Sequence, residues 1–328
     1  MGYGTRSFVV AGHVRRLRPR HSWRSGVLLA TAALAIAARP GLGHAQGGGN
    51  AADWAAVDRA LGRPGKAQPG EVQKYSFPRG DLQVAVGDVA VKPALALGSW
   101  VAFKRMGSPD GEAMVMGDLV LTESEVPAVI AKLEAGGIQQ TALHNHLQHE
   151  SPRVMYLHIE GHGDPAKLAE VIRTALATTK TPAAPPAAPA QGAPPLAIDT
   201  AAVARALGRS GVVTGGVYQV SVPRAEPVRA EGMEIPPAMG VATAINFQPT
   251  GDGKAAITGD FVLTADEVNP VFRTLEQQGI AVTALHSHML TEEPRLLFMH
   301  FWANDDALRL ARGLRMALEQ TKAKPAAF

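Results

Sequence analysis

The chain repeats itself, and the repeat limits its fold more than any bulk property. Val57-Asp58-Arg59-Ala60-Leu61-Gly62-Arg63 returns as Val203-Ala204-Arg205-Ala206-Leu207-Gly208-Arg209, and Phe77-Pro78-Arg79 as Val222-Pro223-Arg224. From Gly98 onward the two copies run at a constant offset of 142 residues: Gly117-Asp118 answers Gly259-Asp260, Ala142-Leu143-His144 answers Ala284-Leu285-His286, and Pro152-Arg153 answers Pro294-Arg295. Both copies must build the same core, so the sequence reads as two copies of one domain, repeat 1 over residues 51–177 and repeat 2 over residues 196–322. Residues 178–195 between them are a Thr/Ala/Pro tract, which predicts an extended, semi-rigid linker. We expect the repeats to pack on each other about a pseudo-twofold axis, as duplicated units commonly do in place of a homodimer.

Within each repeat the pattern predicts α+β architecture with a mainly antiparallel sheet: strands, a helix, two strands, a helix. In repeat 1 a short opening helix over 53–61 leads to strands over 72–77, 82–86, 97–105 and 113–121. Thr122-Glu123-Ser124-Glu125 has the spacing of a capping box and opens a helix ending at Gly136-Gly137; Thr264-Ala265-Asp266-Glu267 repeats it. The box accounts for Glu125 and Glu267. Strands over 140–146 and 153–160 follow, then an amphipathic helix capped at Asp164-Pro165 with its counterpart over 305–319. Asp118 and Asp260, each following glycine, are expected at a turn or bulge.

The N-terminal residues 1–45 have the grammar of a secretory signal: a basic start, an apolar run from Val27 to Ala38, and small residues at Gly43-His44-Ala45. That run is too short for a spanning helix, which needs about 20 apolar residues, so no stable membrane span is expected in the mature chain. The segment holds seven arginines and no other charged residue, so its removal takes the chain from +3 to −4. The basic character thus belongs to the leader, and nucleic acid is not an expected partner. No cysteine is present, which excludes disulfides and an acylated mature N-terminus. A periplasmic or secreted protein is expected.

Chemistry concentrates in a duplicated His-x-His…His pattern. His144 and His146, like His286 and His288, stand two residues apart, a spacing that puts both rings on one face of a strand. His158 and His300 fall on the following strand, and whether they share that face depends on a register that a one-residue slip would reverse. If the faces agree, three imidazoles converge in each repeat and can hold a divalent metal, zinc first, then copper, iron or manganese. Glu150 and Glu292 complete His-x-His-x-x-x-Glu in both copies and are candidate ligands or general bases. Arg153 and Arg295 are candidates for binding a small anionic ligand, the alternative being an exposed strand-edge charge. His149 and His162 face Thr291 and Asn304 in the other copy and are expected to be peripheral. A lone strand histidine is ordinarily structural, so a metal-free hydrogen-bonded or substrate-binding cluster and purely structural roles stand beside the metal reading; duplication of all three histidines favours metal. A metal-dependent hydrolase or lyase is one use of such a site, and a non-catalytic ligand-binding or metal-buffering protein, or a metal-free envelope interaction protein, are the others.

Ala142-Leu143-His144-Asn145-His146, Pro152-Arg153, Gly161-His162-Gly163-Asp164 and Phe298-Met299-His300-Phe301-Trp302 resemble the LppY/LpqO family of bacterial exported proteins, whose domain has no known function. The resemblance covers both copies and implies export and a shared fold; the lipid anchor implied by that family's name has no cysteine here to carry it. The His-x-His-x-x-x-Glu…His order is also similar to the metal strands of cupins, but a capped helix leads directly into it and another closes the unit, where a cupin barrel would have strands.

Overall fold

The structure, a computed structural model, describes residues 54–108, 110–183 and 196–326; the expected leader and linker residues 184–195 lie outside them. Repeat 1 contains α1 (Ala55–Leu61), β1 (Lys66–Gln68), β2 (Val72–Pro78), β3 (Ala85–Val86), β4 (Val89–Ala90), the single-turn α2 (Pro93–Ala96), β5 (Gly98–Arg105), β6 (Ala113–Thr122), α3 (Val126–Ala135), β7 (Gln139–His144), β8 (Glu150–Ser151), β9 (Val154–Gly163) and α4 (Pro165–Leu176). Repeat 2 contains α5 (Thr200–Leu207), β10 (Val212–Thr214), β11 (Val217–Pro223), β12 (Val228–Ala230), β13 (Met233–Ile235), β14 (Ala242–Gly251), β15 (Lys254–Leu263), α6 (Ala265–Gln277), β16 (Ala281–His286), β17 (Leu297–Asp306) and α7 (Ala307–Leu318). Each repeat builds a six-stranded antiparallel sheet, in the order β1-β2-β5-β6-β9-β7 and β10-β11-β14-β15-β17-β16. The fold is α+β, and the two sheets share one topology.

Strand β6 shows why the sheet is covered on both sides. Every residue from Ala113 to Leu121 is buried, so both of its period-two faces must be capped by something. Val115, Leu119 and Leu121 meet Val57, Val129, Leu133, Leu168 and Ile172 from α1, α3 and α4. Met114 and Met116 belong to a different apolar cluster, with Met239, Val262, Met289, Leu296 and Phe298 of repeat 2. Val120 and Tyr156 likewise cluster with Val217 and Ala256. Both repeats lie within one compact unit of the chain, Gly48–Phe328. Polar bonds cross between them: Gln248 accepts from Lys92 N (2.9 Å) and donates to Ala90 O (2.7 Å), and Thr283 Oγ1 donates to His146 O (2.6 Å).

Four local expectations are corrected. The strand expected over 82–86 is reduced to Ala85–Val86, because Gly87 at φ 55° reverses the chain into β4; the short hairpin pairs with β8 and stays out of the main sheet. The strands bearing His144 and His286 stop at those residues, so His146 and His288 lie in the bends that follow. Gly117-Asp118 and Gly259-Asp260 form no turn but sit in mid-strand, paired with Val101-Trp100 and Ile245-Ala244. Glycine is needed there because a Cβ on Gly259 would fall 1.9 Å from Ala244 O.

The fourth concerns Glu125 and Glu267. The box closes fully at Thr264, whereas at Thr122 only the Glu125 half forms, with the Thr122 hydroxyl turned to Ser124. Each glutamate also receives the repeat's paired arginine, Arg79 or Arg224. Arg79, wholly buried, donates to both oxygens of Glu125 (2.8 and 3.1 Å), to both of Asp81 (2.9 and 2.8 Å) and to Val120 O (2.7 Å). Arg224 repeats this with Glu267, Glu226 and Val262 O. The pair pins the end of β2 to β6 and to the start of α3.

Candidate functional site

The register that the sequence leaves open is set by β9 and β17. Ala142 pairs with His158 and His144 with Tyr156; Ala284 pairs with His300 and His286 with Phe298. Directly paired residues share a sheet face, so His144 and His158 point the same way, as do His286 and His300. It is the face turned away from the helices, toward the other repeat.

The six histidines therefore meet in one cluster. Ring centroids of His144 and His286 are 3.5 Å apart, those of His146 and His300 3.9 Å, and those of His158 and His288 3.7 Å. The second and third of these contacts are the same pair exchanged between copies. Ligand-type nitrogens of His144, His146 and His158 lie within 4.8 Å of one another, and so do those of His144, His286, His288 and His300. His144 belongs to both sets. The expectation of one triad in each repeat thus becomes one continuous centre.

In three of the six rings a backbone carbonyl lies against Nδ1. His300 Nδ1 lies 2.9 Å from Gly259 O, His144 Nδ1 3.2 Å from Asn145 O and His286 Nδ1 3.4 Å from Ser287 O. A carbonyl only accepts, so Nδ1 carries the proton and the lone pair is left on Nε2. The Nε2 atoms of all six rings are buried without a hydrogen-bond partner. Burial lowers the pKa of every ring: His144 to about 3 and His286 to about 4, with neighbouring imidazoles adding to the effect at His144, and the other four well below the usual value. Neutral rings with inward lone pairs are the protonation state that metal binding needs.

The carboxylates beside this cluster are Asp118 and Asp260, which the sequence assigned to turns. Asp118 pairs with His158 across the strands and lies 3.9 Å from both His146 Nε2 and His158 Nε2; Asp260 lies 3.9 Å from His288 Nδ1. These distances are too long for hydrogen bonds. Burial pushes Asp118 up to about 8, against the pull of Lys74, and pushes Asp260 well above its ordinary range. Their Oδ1 atoms are buried without partners as well. The signal for them was the strand alternation that sets Met114, Met116, Asp118 and Val120 on one face.

The other expected site residues are held elsewhere. Glu150 accepts from Asn145 Nδ2 (3.3 Å) and lies on β8; Glu292 accepts from Leu296 N (2.9 Å) and Arg295 (3.1 Å), closing its own loop. Arg153 is exposed, and Arg295 is spent on Glu292 and Met289 O. None of the four lines the cleft that reaches the histidines. That cleft, of about 970 Å³, is walled by Trp100, Met116, Leu95 and Met239, and its polar lining includes Asp118, Asp260, His146, His158, His288 and His300. Lys74 also lines it, donating to Ala238 O (3.0 Å) with its ammonium 3.8 Å from the Trp100 ring centre. His149 is exposed and His162 is partly buried.

Fold and site together define a duplicated α+β domain with six histidines, three from each copy, gathered at one cluster. The chain belongs to the family described as Domain of Unknown Function (DUF1259), whose model matches residues 55–178 and 201–320, one copy in each repeat. No curated protein matches the chain. Among solved structures, the chain is similar to a trimeric bacterial microcompartment shell protein, PduB, at 15% identity over 77% of this chain and 90% of that one. The TM-score is 0.19, too low to carry an argument about fold or function.

Proposed function

We propose that the mature protein, periplasmic or secreted as its leader and its LppY/LpqO-like motifs suggest, binds divalent metal at a centre built by both repeats packed together. One observation carries the reading: six buried imidazole Nε2 atoms have no hydrogen-bond partner, in rings whose ligand-type nitrogens fall into two overlapping groups, each within 4.8 Å. Leaving a buried acceptor unsatisfied costs about 1–3 kcal/mol, so a cluster of them is stable only with a partner suited to lone pairs. Zinc is the first choice for a nitrogen-rich set, followed by copper, iron or manganese, with Asp118 and Asp260 as the nearby carboxylates. The carbonyls on Nδ1 act as the outer shell that orients such ligands.

The cleft favours a second reading of the same site, in which a small anionic molecule binds beside the ion. Lys74, at the cleft wall, is the cation placed to anchor it, whereas Arg153 is exposed and Arg295 is bound to Glu292 and Met289 O. An ion with an open position there would activate water or polarise a carbonyl or phosphoryl oxygen, the chemistry of a hydrolase or lyase. Without that chemistry, the same arrangement captures a ligand or buffers metal. Among the described residues no helix is long and apolar enough to cross a membrane.

Thermal unfolding of metal-stripped protein tests the binding. Zinc at about a hundred times its dissociation constant adds about 2.7 kcal/mol, a rise of roughly 5–10 °C in midpoint at this size. The His144→Ala/His286→Ala protein is expected to lose the rise. Equal midpoints with and without zinc in the wild type would count against the reading, as would an unchanged response in the double variant.

A further inference from the structure

Among the described residues, one other set of ligand-type side chains comes together apart from the histidine centre, and it too draws on both repeats. Glu160 and His162 stand two residues apart on β9, on the face that carries His158. Glu231 reaches them from the turn between β12 and β13, where it holds a φ of 49° beside Gly232. His162 Nε2 lies 3.5 Å from Glu231 Oε2 and 4.0 Å from Glu160 Oε1, and the donor atoms of the three residues lie within 4.8 Å of one another. Neither contact is a hydrogen bond, and His162 Nε2 is buried with no partner. Glu160 is 7% exposed, so two carboxylates and an imidazole lone pair share a partly dry pocket.

We propose that Glu160, His162 and Glu231 form a second divalent-cation site, separate from the histidine centre and of the oxygen-rich kind that manganese suits. Metal–ligand bonds of about 2.1 Å set neighbouring donor atoms about 3.0–3.4 Å apart, so closing on an ion needs shifts below about 1 Å. A cation also removes the repulsion between the two carboxylates. Repeat 2 has Trp302 and Asn304 where repeat 1 has Glu160 and His162, so repeat 2 does not reproduce this set. Its ligands come from a strand of repeat 1 and a turn of repeat 2, so an ion there ties the repeats together.

The probe is Mn²⁺, added to the metal-free full mature chain and followed by loss of the paramagnetic resonance signal of the free aqua ion. His162→Asn, which installs the residue that repeat 2 carries, and Glu231→Gln, at a half-exposed side chain, are each expected to weaken one Mn²⁺ site by about tenfold or more. Circular dichroism establishes that each variant is folded, and Glu231→Gln carries the test alone if His162→Asn is not. The His144→Ala/His286→Ala protein is expected to keep this site, which separates it from the histidine centre. Mn²⁺ binding unchanged in both single variants, or abolished by the double variant alone, would overturn the assignment.

Discussion

Metal-free protein is expected to lose stability steeply as pH falls from about 6.5 toward 4, much faster than a domain without buried histidines. The six clustered imidazoles hold folded pKa values far below the ordinary 6.5, at about 3 for His144 and about 4 for His286. Above pH 6.5 neither folded nor unfolded chain protonates them. Below it the unfolded chain takes up protons that the folded chain refuses, so stability drains away across the window. Asp118 and Asp260 work in the opposite sense, since their raised pKa values keep protons in the folded state that the unfolded chain releases above about 4. Six imidazoles against two carboxyls leave a net uptake of up to about four protons on unfolding near pH 5. At about 1.4 kcal/mol per proton per pH unit, the limiting slope is roughly 5 kcal/mol per pH unit. Urea unfolding at pH 7, 6 and 5 measures it. A flat profile would mean that the rings are already charged or are not buried together. A bound cation is expected to steepen the fall below about pH 6.5, because it favours ionised carboxylates and so removes the folded-state protons on Asp118 and Asp260 that oppose the imidazoles.

The second large effect lies far from the cluster. Arg79→Met is expected to destabilise the protein by about 3–5 kcal/mol, because removing one member of a buried ion pair strands the other. Arg79 is 0% exposed and serves Asp81, Glu125 and Val120 O together. Glu125 also accepts from Thr122 N (2.8 Å) and Lys180 N (3.0 Å), so its loosening reaches α3 and the segment after α4. Glu125 is held below the usual carboxylate range, where its hydrogen bonds to Arg79, Thr122 and Lys180 outweigh the opposing effect of burial. The stability it contributes is present above its unfolded pKa and is lost as pH falls through the lower folded value. Denaturant midpoints of Arg79→Met and of Arg224→Met measure the effect, and a loss below about 1 kcal/mol would place these pairs with exposed ones.

What the sequence reveals and what it hides follow from how each signal is encoded. The duplication exposed the repeat and the three paired histidines, because both copies kept them at one offset. That symmetry leaves out His162, which lies near Glu160 and Glu231, because repeat 2 has Trp302 and Asn304 in place of Glu160 and His162. Glycine before Asp118 and Asp260 suggests a turn locally, whereas here the glycine lets β5 and β14 approach closely. Glu150 and Glu292 fitted a ligand spacing along the chain, yet the loop folds them back onto Asn145 and Leu296. Arg79 and Arg224 were visible as repeated residues, but no local pattern tells a buried arginine from a surface one. The convergence of both triads into one centre depends on how two sheets meet, which no one-dimensional spacing encodes.

The central claim, that the paired histidines form a divalent-metal centre, is tested most directly by elemental analysis of the mature protein, purified with export intact and dialysed free of loose ions. The wild type is expected to carry at least about one zinc or comparable ion per chain at this centre, and the His144→Ala/His286→Ala protein to lose it. Substoichiometric metal in the wild type, or equal content in the two proteins, would contradict it.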